Sequence, residues 1–175
     1  MNEIYIEFTH PKSFNPVSSF IRLLEGGKNY KNTPSHVVLR FLDQKHGVWW
    51  IYQAHGLCLQ LVGSEQFFAH NVIIKSFRKL ISDDAKHKLI VYVNRVSGKS
   101  YGFLNLLGLG IRRVLRIFGV KISNPFADGE KSEVCTEAIY TALRDNVPFY
   151  EALKTKKSDD VDLIELMEVL EDSCH

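Results

Sequence analysis

Cysteine is scarce in this 175-residue chain: Cys58, Cys135 and Cys174 are the whole supply. Three is an odd number, and no two stand close enough to form a CxxC pair. Neither a disulfide scaffold nor a structural zinc site is expected, and a reducing compartment fits better. The opening residues, Met-Asn-Glu-Ile-Tyr-Ile-Glu, carry acids where a secretory signal would carry lysine. The longest apolar-rich stretch, Phe103 to Val120, is broken by Asn105, by glycines and by three arginines, so no membrane span is expected. His10, His46, His55, His70 and His87 show no HxH or HxxxH spacing, and Gly108-Leu-Gly lacks the lysine and serine of a phosphate loop. No metal and no cofactor is therefore expected. The formal net charge of +2 gives no reason to expect a nucleic-acid partner.

What is present fits one globular domain, with 45% hydrophobic and 24% charged residues. β-prone runs cover residues 3–9, 36–42, 48–54, 57–62 and 72–77, with turns at Asp43–Gly47 and His55-Gly56. A short helix is predicted over 17–25 and a glycine-interrupted one over 103–118. Residues 66–70 and 83–96 read as either helix or strand, with Ser82 as a cap if the second is a helix. The clearest helix runs from Ser132 to Arg144, where Val134, Ala138, Ile139, Ala142 and Leu143 keep close to a ~3.6-residue period. Strands in the middle and helices around them predict an α+β fold with an antiparallel sheet. The expected division is a domain over 1–157 and an acidic amphipathic helix within 158–175.

Three residues carry candidate chemistry. With Ser132 as cap, Cys135 falls in a helix's first turn, where free N–H groups and the dipole favour a thiolate. Cys135 is then either a nucleophile or a small core residue. His36 opens a strand in Pro34-Ser-His-Val-Val-Leu and is either a rigidly aimed general base or a structural histidine. Gln53, in Ile51-Tyr-Gln-Ala on the next strand, is either the group that fixes the imidazole tautomer or an ordinary polar residue. His55 is a rival for Gln53, since period two puts both on one face.

Taken together, Pro34-Ser-His-Val-Val-Leu, Ile51-Tyr-Gln-Ala, Gly98-Lys-Ser-Tyr-Gly and Val134-Cys-Thr-Glu-Ala resemble the NlpC/P60 superfamily of papain-like thiol hydrolases. The order, His36 preceding Cys135 by 99 residues, resembles its circularly permuted branch, as does Ser18-Ser-Phe-Ile-Arg-Leu-Leu leading into Ser-His. The resemblance spans about residues 13 to 145. It implies a papain-like core with a barrel-like sheet packed on the nucleophile helix. It further implies Cys135 as nucleophile, His36 as base, Gln53 as the third polar group and Tyr101 beside the nucleophile as an oxyanion donor. Two departures stand out: many members have a histidine or an acid where Gln53 stands, and Cys-Thr-Glu replaces the commoner Cys-Ser. The implied reaction is cleavage of an amide, such as a cell-wall-type peptide, through a thioester. The permuted branch also resembles lipid-directed thiol acyltransferases and deacylases, and a non-catalytic binding module is a third reading. Without a signal peptide, the expected location is the cytoplasm or a phage particle.

The small net charge is a cancellation. Residues 75–121 balance to +9 and residues 158–175 to −7. Arg112, Arg113, Arg116 and Lys121, set among apolar residues, would suit an anionic membrane or would form the solvated face of a packed helix. The acidic tail would pack with its charges in water or dock on that basic segment; the first is the default for an amphipathic helix.

Overall fold

The computed structural model describes residues 2–26, 32–55, 58–100, 102–126, 134–147 and 161–172. Along the chain lie β1 (Asn2–Pro11), α1 (Pro16–Gly26), β2 (His36–Asp43), β3 (Val48–His55), β4 (Cys58–Gly63), α2 (Ser64–His70), β5 (Asn71–Ile81), α3 (Asp83–Val96), α4 (Phe103–Ile117), α5 (Cys135–Asn146) and α6 (Leu163–Asp172). The α+β class and the antiparallel sheet agree with the sequence pattern. The barrel does not: the sheet is open, in the order β4-β3-β2-β1-β5. One reason lies at the β4 edge. Leu59 N–H donates to Lys99 O, Gly98 N–H donates to Leu59 O, and Cys58 bridges Ser100. The turn after α3 thus takes up edge groups that closure against β5 would need.

Alternation sorts the sheet into two faces. Ile4, Ile6 and Phe8 of β1 lie opposite Phe41, Leu39 and Val37 of β2, and these join Tyr52 and Ala54 in the main core. Residues of α3, α5 and α6 complete that core. The other face carries Tyr5, Glu7, Thr9, Val38 and Arg40, with Val38, Ile51 and Phe67 of α2 forming a small second cluster. The two tryptophans divide between the faces: Trp50 packs on the main core, while Trp49 lies under the Arg40 guanidinium.

Local sequence explains most helix ends. Asn15 Oδ1 accepts the Ser18 N–H at 2.9 Å ahead of Pro16, a favoured first helical residue. Residues 83–96 are helical, because Ser82 Oγ accepts the Ala85 N–H at 3.1 Å and Ala85, Leu89, Tyr92 and Val93 form one buried stripe. Residues 66–70 are helical too, within α2. Helix α5 begins at Cys135, three residues later than its pattern predicts, and Val134 stands at its N-cap. Ser132, the expected cap, lies outside the described residues. Valine has no acceptor to offer, so Glu137 turns back and takes the Val134 N–H at 2.8 Å.

The acidic tail helix differs from its expected form. Asp162 and Glu165 do not stand in water; they meet Arg112 and Arg116 of α4. Among the described residues, no helix is long and apolar enough to cross a membrane.

Helix α5 is the element on which the core turns, and Ile139 is fully buried within it. Ile139→Ala should cost about 3 kcal/mol, read as a lower urea midpoint at unchanged slope.

Candidate active site

The first residues of β2 hold the site's basic group. His36 Nε2 lies 3.0 Å from Gln53 Oε1, with Gln53 itself buried. The amide oxygen can only accept, so His36 carries its proton on Nε2 and keeps a lone pair on Nδ1. The ring also sits 6.3 Å from that of Phe67 and 6.4 Å from that of His55. Gln53, and not His55, therefore holds the bond that orients the imidazole. Burial pulls the His36 pKa down to about 4; the Gln53 bond opposes this, and His55 adds to the fall. Ser35 ties the strand start to α1 through a hydroxyl bond with Ser18, so two of the motif segments touch.

Cys135 is the first residue of α5 and is 4% exposed. Its sulfur meets the backbone amides of Val37, Thr136 and Cys135 itself. It thus reaches β2 one residue past His36. The two side chains approach this strand end from opposite sides: Cys135 belongs to the main core with Val37, while His36 packs toward Phe67. Burial pushes the Cys135 thiol up to about 11, against the pull of the three amides, and the Glu137 carboxylate adds to the rise. The expected resting thiolate is therefore corrected. The helix terminus does present N–H groups to the sulfur, but desolvation outweighs them.

The thiol opens on a cleft between helices. Helix α1 contributes Phe20 and Ile21, and α4 contributes Leu106, Leu109 and Gly110. The start of α5 adds Val134 and Thr136, and Asp162 and Leu163 close the far wall. The lining is mostly apolar. Thr136 Oγ1, buried beside the thiol, has no hydrogen-bond partner among the described residues. The apolar periodicity of α1 and α4 was the available signal, but it could not say that the two helices border the cysteine.

Other expected residues fall elsewhere. Tyr101 and Cys174 lie outside the described residues, as does the Arg113 side chain. Cys58 is a free, half-buried thiol on β4. Among the described residues, no three His, Cys, Asp or Glu side chains gather to hold a metal ion. On the His36 face, Glu7 is fully buried and pairs with Arg40 at 2.8 Å, and Arg40 stacks over Tyr5 and Trp49. Burial raises the Glu7 carboxyl, and Arg40 partly offsets the rise.

The chain matches no protein-family model, and no curated protein or solved structure is significantly similar to it.

The His36 shift has a consequence for stability. Its folded pKa of about 4 lies below the ordinary 6.5, so the unfolded chain binds the extra proton first. Stability from this residue is whole above about pH 6.5 and is lost as the pH falls through 4, by about 3 kcal/mol in all. Urea titrations from pH 7 to pH 4 on wild type and His36→Gln should show this extra loss in wild type alone. Equal losses would assign the acid sensitivity to other groups.

Proposed function

We propose that the protein is a cysteine hydrolase that cleaves an acyl compound, an amide in the leading reading, through a thioester. The observation that carries it is the His36–Gln53 bond on the strand whose next amide meets the Cys135 sulfur. In this reading the thiol proton passes to His36 Nδ1 through water around the open start of β2, as sulfur bonds to the carbonyl carbon. The imidazolium then protonates the leaving amine or alcohol as its bond to carbon breaks. His36 next deprotonates a water, which displaces the sulfur and releases the acid as the imidazolium returns its proton to the sulfur. Gln53 holds the tautomer throughout. It orients the ring without pairing its charge. The Cys135 N–H is the proposed oxyanion donor, and Tyr101, matched by motif, is the second.

The resemblance favours a cell-wall-type peptide amide. A specific observation favours the second reading, a lipid-directed deacylase or acyltransferase: the walls of the cleft are apolar along α1 and α4. Apolar walls would favour an acyl group laid against them, whereas a polar peptide would lose hydration without replacement.

The test is turnover of two substrate sets, γ-glutamyl peptides and long-chain acyl amides or esters, followed by mass spectrometry. Cys135→Ala should abolish turnover and thioester trapping. His36→Ala should lower kcat by ~10²–10⁴-fold and Gln53→Ala by about tenfold. Intact substrates and no trapped acyl group, in both sets, would leave the fold as a binding module. Trapping on Cys58 or Cys174 would reject Cys135 as the nucleophile.

A further inference from the structure

Helices α4 and α6 are joined by charge. Arg112 reaches the Glu165 carboxylate through both terminal nitrogens at 3.3 Å, and Arg116 reaches the same group at 3.0 Å. Burial acts to raise Glu165, yet the Asp162 amide and the two arginines outweigh it and hold the carboxyl below its ordinary range. Arg116 lies 3.7 Å from Asp162, beyond hydrogen-bond reach, and is about one-third exposed, at 34%. Its guanidinium therefore keeps donors for a further anion.

Both arginines also border a second cavity, together with Lys121, Ser123 and the apolar Val120 and Ile122. Three cations edge this space, against the two carboxylates the arginines already meet. Lys121 has no carboxylate partner among the described residues.

The same carboxylates shape the Cys135 cleft. Asp162 Oδ1 accepts the Glu165 N–H at 2.8 Å, and Glu165 Oε2 accepts the Asp162 N–H at 3.2 Å. This reciprocal cap forms the start of α6, where Asp162 and Leu163 wall the cleft. Glu165 thus answers both to the arginines and to the turn that encloses the thiol.

We propose that the cavity edged by Arg112, Arg116, Lys121 and Ser123 binds a phosphate-bearing anion, and that filling it draws Arg116 from Glu165 and opens the Cys135 cleft. A phosphate offers several strong acceptor oxygens to a forked guanidinium and more charge than one carboxylate. Arg116, at 34% exposure, can change partner at small cost, whereas the Arg112–Glu165 pair, at 12% and 14%, is held more firmly. Val120 and Ile122 give the cavity an apolar edge, so a lipid headgroup and a free phosphate share this recognition chemistry. The consequence rests on Cys135 being the reacting thiol; the test does not. A thiol that is alkylated but never turns over an acyl substrate would sink the hydrolase reading and leave this one standing.

The experiment uses the full chain with three additions: inorganic pyrophosphate, vesicles of equal phosphatidylglycerol and phosphatidylcholine, and vesicles of phosphatidylcholine alone. Iodoacetamide labelling of Cys135, resolved from Cys58 and Cys174 by peptide mass spectrometry, reads the cleft. A thermal shift on Cys135→Ala reads binding apart from thiol chemistry. Anion should speed Cys135 labelling by about tenfold, the size of a typical coupling between two sites. Glu165→Gln should raise the rate without any anion, and Lys121→Glu should remove the response to added anion. Acceleration by pyrophosphate supports the site with free phosphate as ligand, and acceleration by anionic vesicles alone supports it with a headgroup as ligand. Unchanged labelling in both anionic arms, or a response that survives Lys121→Glu, overturns the proposal. A thermal shift without faster labelling overturns the coupling.

Discussion

Helix α5 is buried over nine consecutive residues, Cys135 to Leu143, and much of the molecule follows from that. A helix on a surface leaves its first N–H groups to water. One enclosed by a sheet and by two other helices must satisfy them from within. Val134 cannot cap it, so Glu137 folds back onto the Val134 amide and becomes a buried acid. The Cys135 sulfur takes amides of the first turn and of β2. Burial both aims the thiol and denies it charge, since the enclosure that supplies its hydrogen bonds also removes its solvent.

The strand beneath obeys a second constraint. Period-two alternation gives Val37, Leu39 and Phe41 to the helices and leaves His36, Val38 and Arg40 on the opposite face. That second face is polar for a buried surface. Glu7 lies within it, paired with Arg40, and one Glu7 oxygen and the Thr9 hydroxyl lack partners among the described residues. The cost is met in part by the aromatic bed of Tyr5 and Trp49 under the guanidinium. His36 is therefore held by a polar layer, through Gln53, while the thiol is held by an apolar one. The candidate site spans the sheet at one strand end.

These two constraints separate what the sequence could say from what it could not. Alternation is local, so β1 to β4 were legible, as were the residue types of His36, Gln53 and Cys135. The choice between helix and strand at residues 83–96 was settled by a local feature, the Ser82 cap, together with a stripe that packs on the core. Openness of the sheet was not legible, because it involves edge groups of β4 being met by the turn at 98–100, far along the chain. The start of α5 was hidden because valine bears no capping signature. The charge state of Cys135 was misread because a helix terminus is visible in sequence and burial is not. The expected solvated tail met Arg112 and Arg116 because residues 49 to 53 positions apart were brought together by packing.

On the proposed mechanism, the two neutral groups become an advantage in an apolar cleft. A thiolate–imidazolium pair would require both charges to persist without solvent, which costs several kcal/mol per ion. With burial raising the thiol and lowering the imidazole, both rest neutral near pH 7, and charge forms only as the carbonyl carbon is attacked. At that moment sulfur loses its developing charge to the carbonyl oxygen. The N–H groups that steadied the sulfur at the mouth of α5 are then released toward the oxyanion. The cost of desolvation falls on the resting enzyme, and the donors are oriented before they are needed. An apolar acyl group bound along α1 and α4 would strengthen this by excluding the water that competes for those donors. The burial that suppresses the free thiol is, in this account, the condition that lets the bound one react.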